Sequence, residues 1–318
     1  MSTTVRTSRP APVLFPANEI LKLNLPPIAW VLKGILPEGF SVLGGRQKLG
    51  KSTLALKIAV SVALGEPAMG LPAPTKGDVL YIDIENGKRR VQKRLSDLLG
   101  PEPLEAPEAL GFWFEAPKLD AGLIDHLEAW RVSKASPKMV IVDVLQAIKP
   151  AGRANRTAYE NDYDIWRPLQ EWSKKTGVAV LGLHHTRKQF SEDPLESLSG
   201  SNGLSACADT CLILDSKAGS RTLYVRGRDV EECRYNLYGF GTGSVLTRAD
   251  EPIRLAGPAE RVLNHLRMAQ RDFSVAEVVE LAGVSNANGR QLLSRLFRDG
   301  LVQKTSHGRY ASVEVRTN

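Results

Sequence analysis

Gly45-Arg46-Gln47-Lys48-Leu49-Gly50-Lys51-Ser52 fits the phosphate-binding pattern G-x-x-x-x-G-K-[ST] at every fixed position. Its flanks decide the fold. Gly39 to Gly44 precede it as a short apolar strand, and Thr53 to Leu64 follow as a helix that ends at Gly65. A strand, a glycine loop and a helix N-terminus turn successive backbone N–H groups toward phosphate oxygens, with the helix dipole behind them. In such a cradle Lys51 reaches the β- and γ-phosphates and the Ser52 hydroxyl sits on Mg²⁺. Gly45 through Thr53 are the expected nucleotide contacts, with ATP and Mg²⁺ as the expected ligands.

The bulk numbers suit a globular chain of one large or two modest domains. Of its 318 residues, 42% are hydrophobic and 24% charged, enough apolar content for a sizeable core. Lys and Arg outnumber Asp and Glu by 42 to 35, a net charge of +7 that points mildly to a polyanionic partner. The cysteines, Cys207, Cys211 and Cys233, are odd in number and form no C-x-x-C pair, so neither a zinc site nor a disulfide framework is suggested. Cys207 and Cys211, one helical turn apart, read as small core residues, and a reduced, cytoplasmic setting is expected. No apolar run approaches the ~20 residues of a membrane span. Residues 1–17 lack the apolar core of a signal peptide and, with Pro10, Pro12 and Pro16 among Ser, Thr and Arg, read as a flexible tail.

From there to about residue 250 strands and helices alternate. Asp78–Glu85, Phe112–Phe114, Lys138–Asp143, Val178–His185, Asp209–Asp215 and Arg221–Arg226 read as strands; Lys88–Leu99, Leu123–Arg131 and Tyr159–Lys175 read as helices. Near-continuous apolar strands between helices mean a mainly parallel sheet covered on both faces, an α/β fold over residues 18–250.

The chemistry follows from the strand ends. Asp143 closes an apolar strand and is the expected partner of Ser52 in holding Mg²⁺. The residue after it is Val144, so a base that activates water must come from elsewhere. Glu85 ends the strand after the phosphate-loop helix, and strand periodicity puts it on one face with Asp83. A carboxylate in so apolar a strand costs energy unless it has a task or a partner. Glu85 is the candidate base; structural pairing, or support of the Mg²⁺ shell, is the other role open to this pair. His184-His185 end a neighbouring strand. Adjacent strand residues point opposite ways, which argues against zinc and for one ring, His185, sensing the γ-phosphate. Arg187 and Lys188 follow in a polar loop suited to single-stranded DNA, and residues 189–205 read as a mobile loop. Arg226 and Arg228 end a later strand, where an arginine of a ring could reach the neighbour's γ-phosphate.

The segments GRQKLGKST, LYIDIE, MVIVDVLQAI, LGLHHTRK and SGSNGLSACADTCLIL, in that order, resemble the RecA-like ATPase core of plasmid replicative helicases of the RepA type, and more broadly the bacterial and phage AAA-type ATPases grouped with it. The resemblance covers about residues 25–240. It implies a RecA-like P-loop fold, a hexamer with ATP bound between subunits, Lys51 and Ser52 as the Walker A pair, Glu85 as catalytic glutamate and Asp143 as Walker B aspartate. It also implies His184 and His185 as the paired strand-end histidines and Arg226 as arginine finger. The loop interior Arg46–Leu49 is bulkier than the small residues common in that class.

Past a Gly-, Ser- and Pro-rich stretch around 241–257, with 251–257 as the linker, the pattern changes. Ala259–Ala269, Val275–Ala282 capped by Ser274 with Glu277 in the capping box, and Asn286–Arg298 read as helices. Leu301–Lys304 and Arg309–Val313 read as a hairpin around Ser306-His307-Gly308. Residues 258–318 thus have the order of a winged helix-turn-helix, outside the shared core. Asn288, Arg290, Gln291 and Arg295 on the third helix, with Lys304 and Arg309 on the hairpin, suit the base edges and phosphates of duplex DNA. The excess of nine Lys/Arg over six Asp/Glu is modest, and a protein-docking role is the other reading. The sequence therefore points to a ring-forming helicase or DNA-dependent motor of a plasmid, phage or integrated element. A nucleotide-controlled DNA-binding regulator and a partner-remodelling ATPase stand as alternatives.

Overall fold

Strands that are apolar on both sides need cover on both sides, and the chain supplies it with helices. The computed structural model describes residues 14–99, 106–152, 157–186, 198, 203–217, 220–239, 244–249, 262–263, 265–266, 271–283, 285–298, 302–306 and 308–312. In chain order the elements of the larger part are α1 (Ala17–Ile20), β1 (Trp30–Leu32), β2 (Leu36–Pro37), β3 (Phe40–Gly45), α2 (Lys51–Leu64), β4 (Asp78–Asp83), α3 (Gly87–Leu99), β5 (Leu110–Trp113) and α4 (Leu123–Val132). There follow β6 (Pro137–Asp143), α5 (Leu145–Ile148), α6 (Ala158–Thr176), β7 (Ala179–His185), α7 (Gly203–Cys207), β8 (Thr210–Lys217), β9 (Ser220–Gly227), β10 (Cys233–Tyr238) and β11 (Val245–Arg248).

One nine-stranded sheet organises them, in the order β11-β10-β9-β8-β3-β7-β6-β4-β5. From β8 to β5 every pairing is parallel, and β9 to β11 continue it antiparallel. The expected α/β fold with a mainly parallel sheet is the one observed. Alternation along the strands builds two cores. Tyr81, Ile141 and Leu181 join the apolar face of α2 in one, and Leu80, Val140 and Val180 pack on Trp166 and Leu169 of α6 in the other. At Gly182 a Cβ would lie 2.5 Å from Leu145, so only glycine lets α5 close onto β7.

The parallel order fixes where the site lies. β7 separates the phosphate-loop strand β3 from β6, and all these strands deliver their C-terminal ends to one edge of the sheet. Ligands of open α/β sheets bind at that edge.

Several expectations need correction. The strand carrying the acidic pair stops at Asp83, so Glu85 stands two residues beyond it and periodicity does not put the two on one face. Cys207 ends α7 and Cys211 lies in β8; both are buried, but not on one helix. The stretch 241–257, read as connecting chain, contains β11, which hydrogen-bonds to β10. The linker 251–257, most of the tail and most of the loop 189–205 lie outside the described residues.

The C-terminal elements are β12 (Phe273–Ser274), α8 (Val275–Ala282), α9 (Asn286–Arg298), β13 (Val302–Ser306) and β14 (Arg309–Ser312). Residues 262–263 and 265–266 are helical, within the expected first helix. The capping box forms: Ser274 Oγ accepts from the Glu277 N–H at 3.3 Å, and Glu277 Oε2 accepts from the Ser274 N–H at 2.7 Å. A Cβ at Gly289 would lie 2.2 Å from Val279, which lets α9 pack close on α8. The three strands pair antiparallel as β12-β14-β13. Val278, Leu293, Leu296 and Val302 lie in a separate small core, against which Tyr238 of β10 also packs.

Candidate nucleotide-hydrolysis site

The phosphate loop turns where its glycines allow. Gly50 caps α2 in the left-handed region, φ 95°, and Lys48 at φ 64° completes the turn. At Gly45 a Cβ would come within 2.6 Å of the Leu214 carbonyl. Arg46, Gln47 and Lys48 are exposed and Leu49 packs back on the core. The Arg46 side chain is turned sideways onto Asp215 at 3.1 Å and the Ser216 carbonyl at 3.0 Å, so the backbone of the loop is what faces a phosphate.

Lys51 is buried at the first turn of α2. Its Nζ donates to the carbonyls of Gly45 at 2.6 Å and Arg46 at 2.9 Å, and lies 3.2 Å from Nδ1 of His185. Burial lowers its pKa, opposed by the negative charges of Asp143 and Glu85. A phosphate would replace two neutral carbonyls with a charged acceptor, the stronger kind of hydrogen bond.

Ser52 and Asp143 meet as expected. The Asp143 carboxylate accepts from the Ser52 hydroxyl and, at 3.0 Å, from Tyr81 Oη. Burial raises the Asp143 pKa; the nearby charge of Asp83 acts in the same direction, and the Ser52 and Tyr81 hydrogen bonds oppose it. A buried carboxylate that already holds a hydroxyl beside a phosphate cradle fits a divalent cation, which would restore the charged form. Asp83 is held by Asn86, whose N–H donates at 2.7 Å and whose side-chain amide donates to both carboxylate oxygens. Asn86 Nδ2 also lies 3.5 Å from Asp143, and Asn86 Oδ1 accepts from Arg94 at 3.2 Å.

On the open side His185 bridges two predicted residues. Lys51 donates to its Nδ1, which places the ring proton on Nε2, 3.6 Å from Glu85 Oε2. Glu85 is about half exposed, with 47% of its side chain accessible, as a group that must meet water requires. His184 faces away, and burial, helped by its neighbours His185 and Lys149, pushes it down to about 4. On the other flank of the loop, Thr53 shares a cleft with Lys57, Arg221 and Ser244. Burial pushes Lys57 down to about 8, and it donates to Ser244 Oγ at 2.8 Å.

The remaining predicted residues lie elsewhere. Arg226 pairs with Cys211 at the start of β8, the end of the sheet opposite the phosphate loop, and is ion-paired with Glu232 at 2.6 Å. It therefore does not serve the site of its own chain. Arg228 is bound to the buried Asp209 at 2.9 Å. Asn288, Arg290, Gln291 and Lys304 are exposed. Lys304 sits over the rings of Phe297 and Tyr310. Arg309 is half-buried and ion-paired with Asp272 at 2.9 Å, an arrangement that holds β14 rather than offering its charge outward. Arg187, Lys188 and the Arg295 side chain lie outside the described residues. Sequence reasoning missed Tyr81, Asn86, Arg94 and Lys57, which carry no motif; only their spacing from the strand and helix ends marks them.

The model of the family described as "AAA domain" matches residues 4–190. No curated protein matches the chain. Among solved structures, one described as an ATPase domain is 18% identical with a TM-score of 0.49, covering 63% of this chain and 81% of that one. A DnaB-like replicative helicase, described with its interactions with primase, has the same identity and TM-score over 63% of this chain. The present chain covers 54% of that helicase's length. No helix among the described residues is long and apolar enough to cross a membrane.

Proposed function

The chain belongs to the AAA-domain family, and on that premise we propose that it is an ATP-hydrolysing, DNA-associated motor. In this reading it is a hexameric, RecA-like replicative helicase of a plasmid, phage or integrated element, working in the cytoplasm. The observation that carries the proposal is the meeting of Lys51, Ser52, Asp143, His185 and Glu85 at one edge of the sheet. The backbone amides of the loop and Lys51 hold the triphosphate. Ser52 and Asp143 would hold Mg²⁺, which supplies positive charge to the phosphate oxygens. Glu85 takes the proton of the attacking water, whose oxygen bonds to the γ-phosphorus as the bond to the bridging oxygen breaks and ADP leaves. His185, joined to both Lys51 and Glu85, senses whether a γ-phosphate is present.

Two features support assembly. Arg226 lies too far round the sheet for its own site and suits a neighbour's. Leu14, Phe15, Ile20, Leu21, Leu23 and Leu25 are all exposed near the N-terminus, Leu14 and Leu21 at 89% and 87%, a concentration of apolar surface that marks an interface. The C-terminal elements have the order of a winged helix, and the exposed Asn288, Arg290, Gln291 and Lys304 are the proposed duplex-DNA contacts, with single-stranded DNA met through the core.

The test is ATPase activity with and without single-stranded and duplex DNA, with native mass measured alongside. Stimulation by single-stranded DNA in a ring supports the motor. Hydrolysis indifferent to DNA would turn the reading to partner remodelling, and duplex binding without translocation to a regulator. Arg226→Ala subunits mixed with Lys51→Ala subunits should recover partial hydrolysis; none in a verified mixed ring would remove the arginine-finger role.

A further inference from the structure

The helix that leaves the site carries more charge than the site uses. α3 has five basic residues, Lys88, Arg89, Arg90, Lys93 and Arg94, against the single acidic Asp97, in a chain whose whole net charge is +7. Val91 is its buried anchor. Arg89, Arg90 and Lys93 are exposed and fall within about 100° of arc on the opposite side of the helix, with Arg89 and Lys93 about 6 Å apart along the axis. Asp97 shares that face and pairs with Lys93 at 3.3 Å, an exposed ion pair weak enough for a phosphate to displace. Lys88, on the flank, lies 5.7 Å over the ring of Phe114. Phe114 is half-buried, follows the edge strand β5 and stacks on Phe112 with ring planes 16° apart.

We propose that the outer face of α3, with Phe114 beside it, is a binding surface for single-stranded DNA. This rests on the reading of the chain as a DNA-associated ATPase and adds a contact that the phosphate-loop motif does not imply. Charge complementarity selects a polyanion, since three cations on one face displace counterions from phosphates whatever the base sequence. The half-buried ring of Phe114, already stacked on Phe112 and facing Lys88, selects a strand with unpaired bases, because a base released from pairing can extend that stack. An acidic protein would use the charges and gain nothing from the Phe112–Phe114 stack.

The same helix is wired to the reaction centre. It starts two residues after Glu85, and Arg94 on its inner side donates to Asn86, which in turn holds Asp83 and approaches Asp143. A strand drawn onto α3 therefore pulls on the segment that positions the base.

The experiment uses the full chain and a labelled single-stranded oligothymidylate, followed by fluorescence anisotropy across a salt series. The variant Arg89→Gln/Arg90→Gln/Lys93→Gln keeps helix propensity, and its far-UV circular dichroism and melting report on folding. It should bind on the order of tenfold more weakly at low salt, with the log–log salt slope shallower by about 2. The ratio of DNA-stimulated to basal hydrolysis should fall with affinity. Phe114→Ala should weaken binding by about tenfold with the salt slope unchanged. Undiminished binding by the folded triple variant overturns the α3 surface and leaves the DNA-associated reading standing. A parent protein that binds no single-stranded DNA at low salt overturns both. If polyglutamate of equal charge competes as well as DNA and Phe114→Ala has no effect, the occupant is an acidic protein and the proposal fails.

Discussion

The site has two halves built on opposite principles. In the inner half Lys51, Asp143, Tyr81 and Asp83 are buried, and each has a hydrogen-bond partner within the chain. In the outer half Glu85 and His185 are partly open and meet only at 3.6 Å. The difference teaches how the labour divides. Buried charges must be partnered to be tolerated at all, so the binding groups are preorganised before substrate arrives. The groups that meet water stay loosely held, since a base enclosed by the protein has no water to activate. Substitutions in the inner half should change binding or stability, and those in the outer half should change turnover alone.

The largest effect tests the inner half. Lys51→Ala removes the buried cation that faces the phosphates and should cut hydrolysis by on the order of 10²-fold or more, with weaker ATP binding by calorimetry. Near-parental turnover would break the assignment of the whole edge. Glu85→Gln tests the outer half: it should bind ATP as the parent does and turn over about 10²-fold more slowly. If binding falls instead and turnover holds, the two halves are not distinct.

The division also explains what the sequence could disclose. The phosphate loop is read directly because backbone geometry constrains glycine at Gly45 and Gly50 and chemistry constrains Lys51 and Ser52. Asp143 follows from an apolar strand that ends in a carboxylate. Tyr81 looks like any core aromatic at even spacing in a buried strand, and its hydroxyl becomes legible only once β4 and β6 are seen side by side. Asn86 and Arg94 lie beyond the strand end, where a turn rather than a period sets direction; the same turn takes Glu85 off the face of Asp83. The antiparallel extension by β10 and β11 escaped notice because short, half-buried strands such as Cys233–Tyr238 give a weak alternation. In the C-terminal elements the capping box located α8 to the residue, whereas the ion pair that takes up Arg309 depends on Asp272, thirty-seven positions earlier.

Tyr81→Phe sharpens the contrast at a smaller scale. It removes a buried donor to Asp143 and leaves that oxygen short of a partner. The cost should be about 1–2 kcal/mol, read as a melting temperature lower by several degrees, with hydrolysis needing more Mg²⁺ for half-maximal rate. Glu85→Gln should melt with the parent. If Tyr81→Phe melts unchanged and Glu85→Gln is destabilised, preorganisation lies in the outer half and the comparison is inverted.

The smallest effect separates the adjacent histidines. His185 faces Lys51 and Glu85, whereas His184 faces Lys149 and Asp162 and is pushed from its ordinary 6.5 down to about 4, mainly by burial. A folded value below the unfolded one means that the unfolded chain binds the extra proton between the two. The stabilisation from neutral His184 is therefore complete above about pH 6.5 and is lost as pH falls toward 4, at up to roughly 1.4 kcal/mol per unit. Melting followed from pH 8 to pH 4.5 should show this decline in the parent and a shallower one in His184→Gln, because glutamine does not titrate. His185→Gln should keep the parental slope, since it leaves the buried, titrating ring of His184 in place. Equal slopes for the parent and His184→Gln would place the acid sensitivity elsewhere. An effect confined to His185→Gln would mean that the open half, not the buried one, carries the pH-dependent stability of this edge of the sheet.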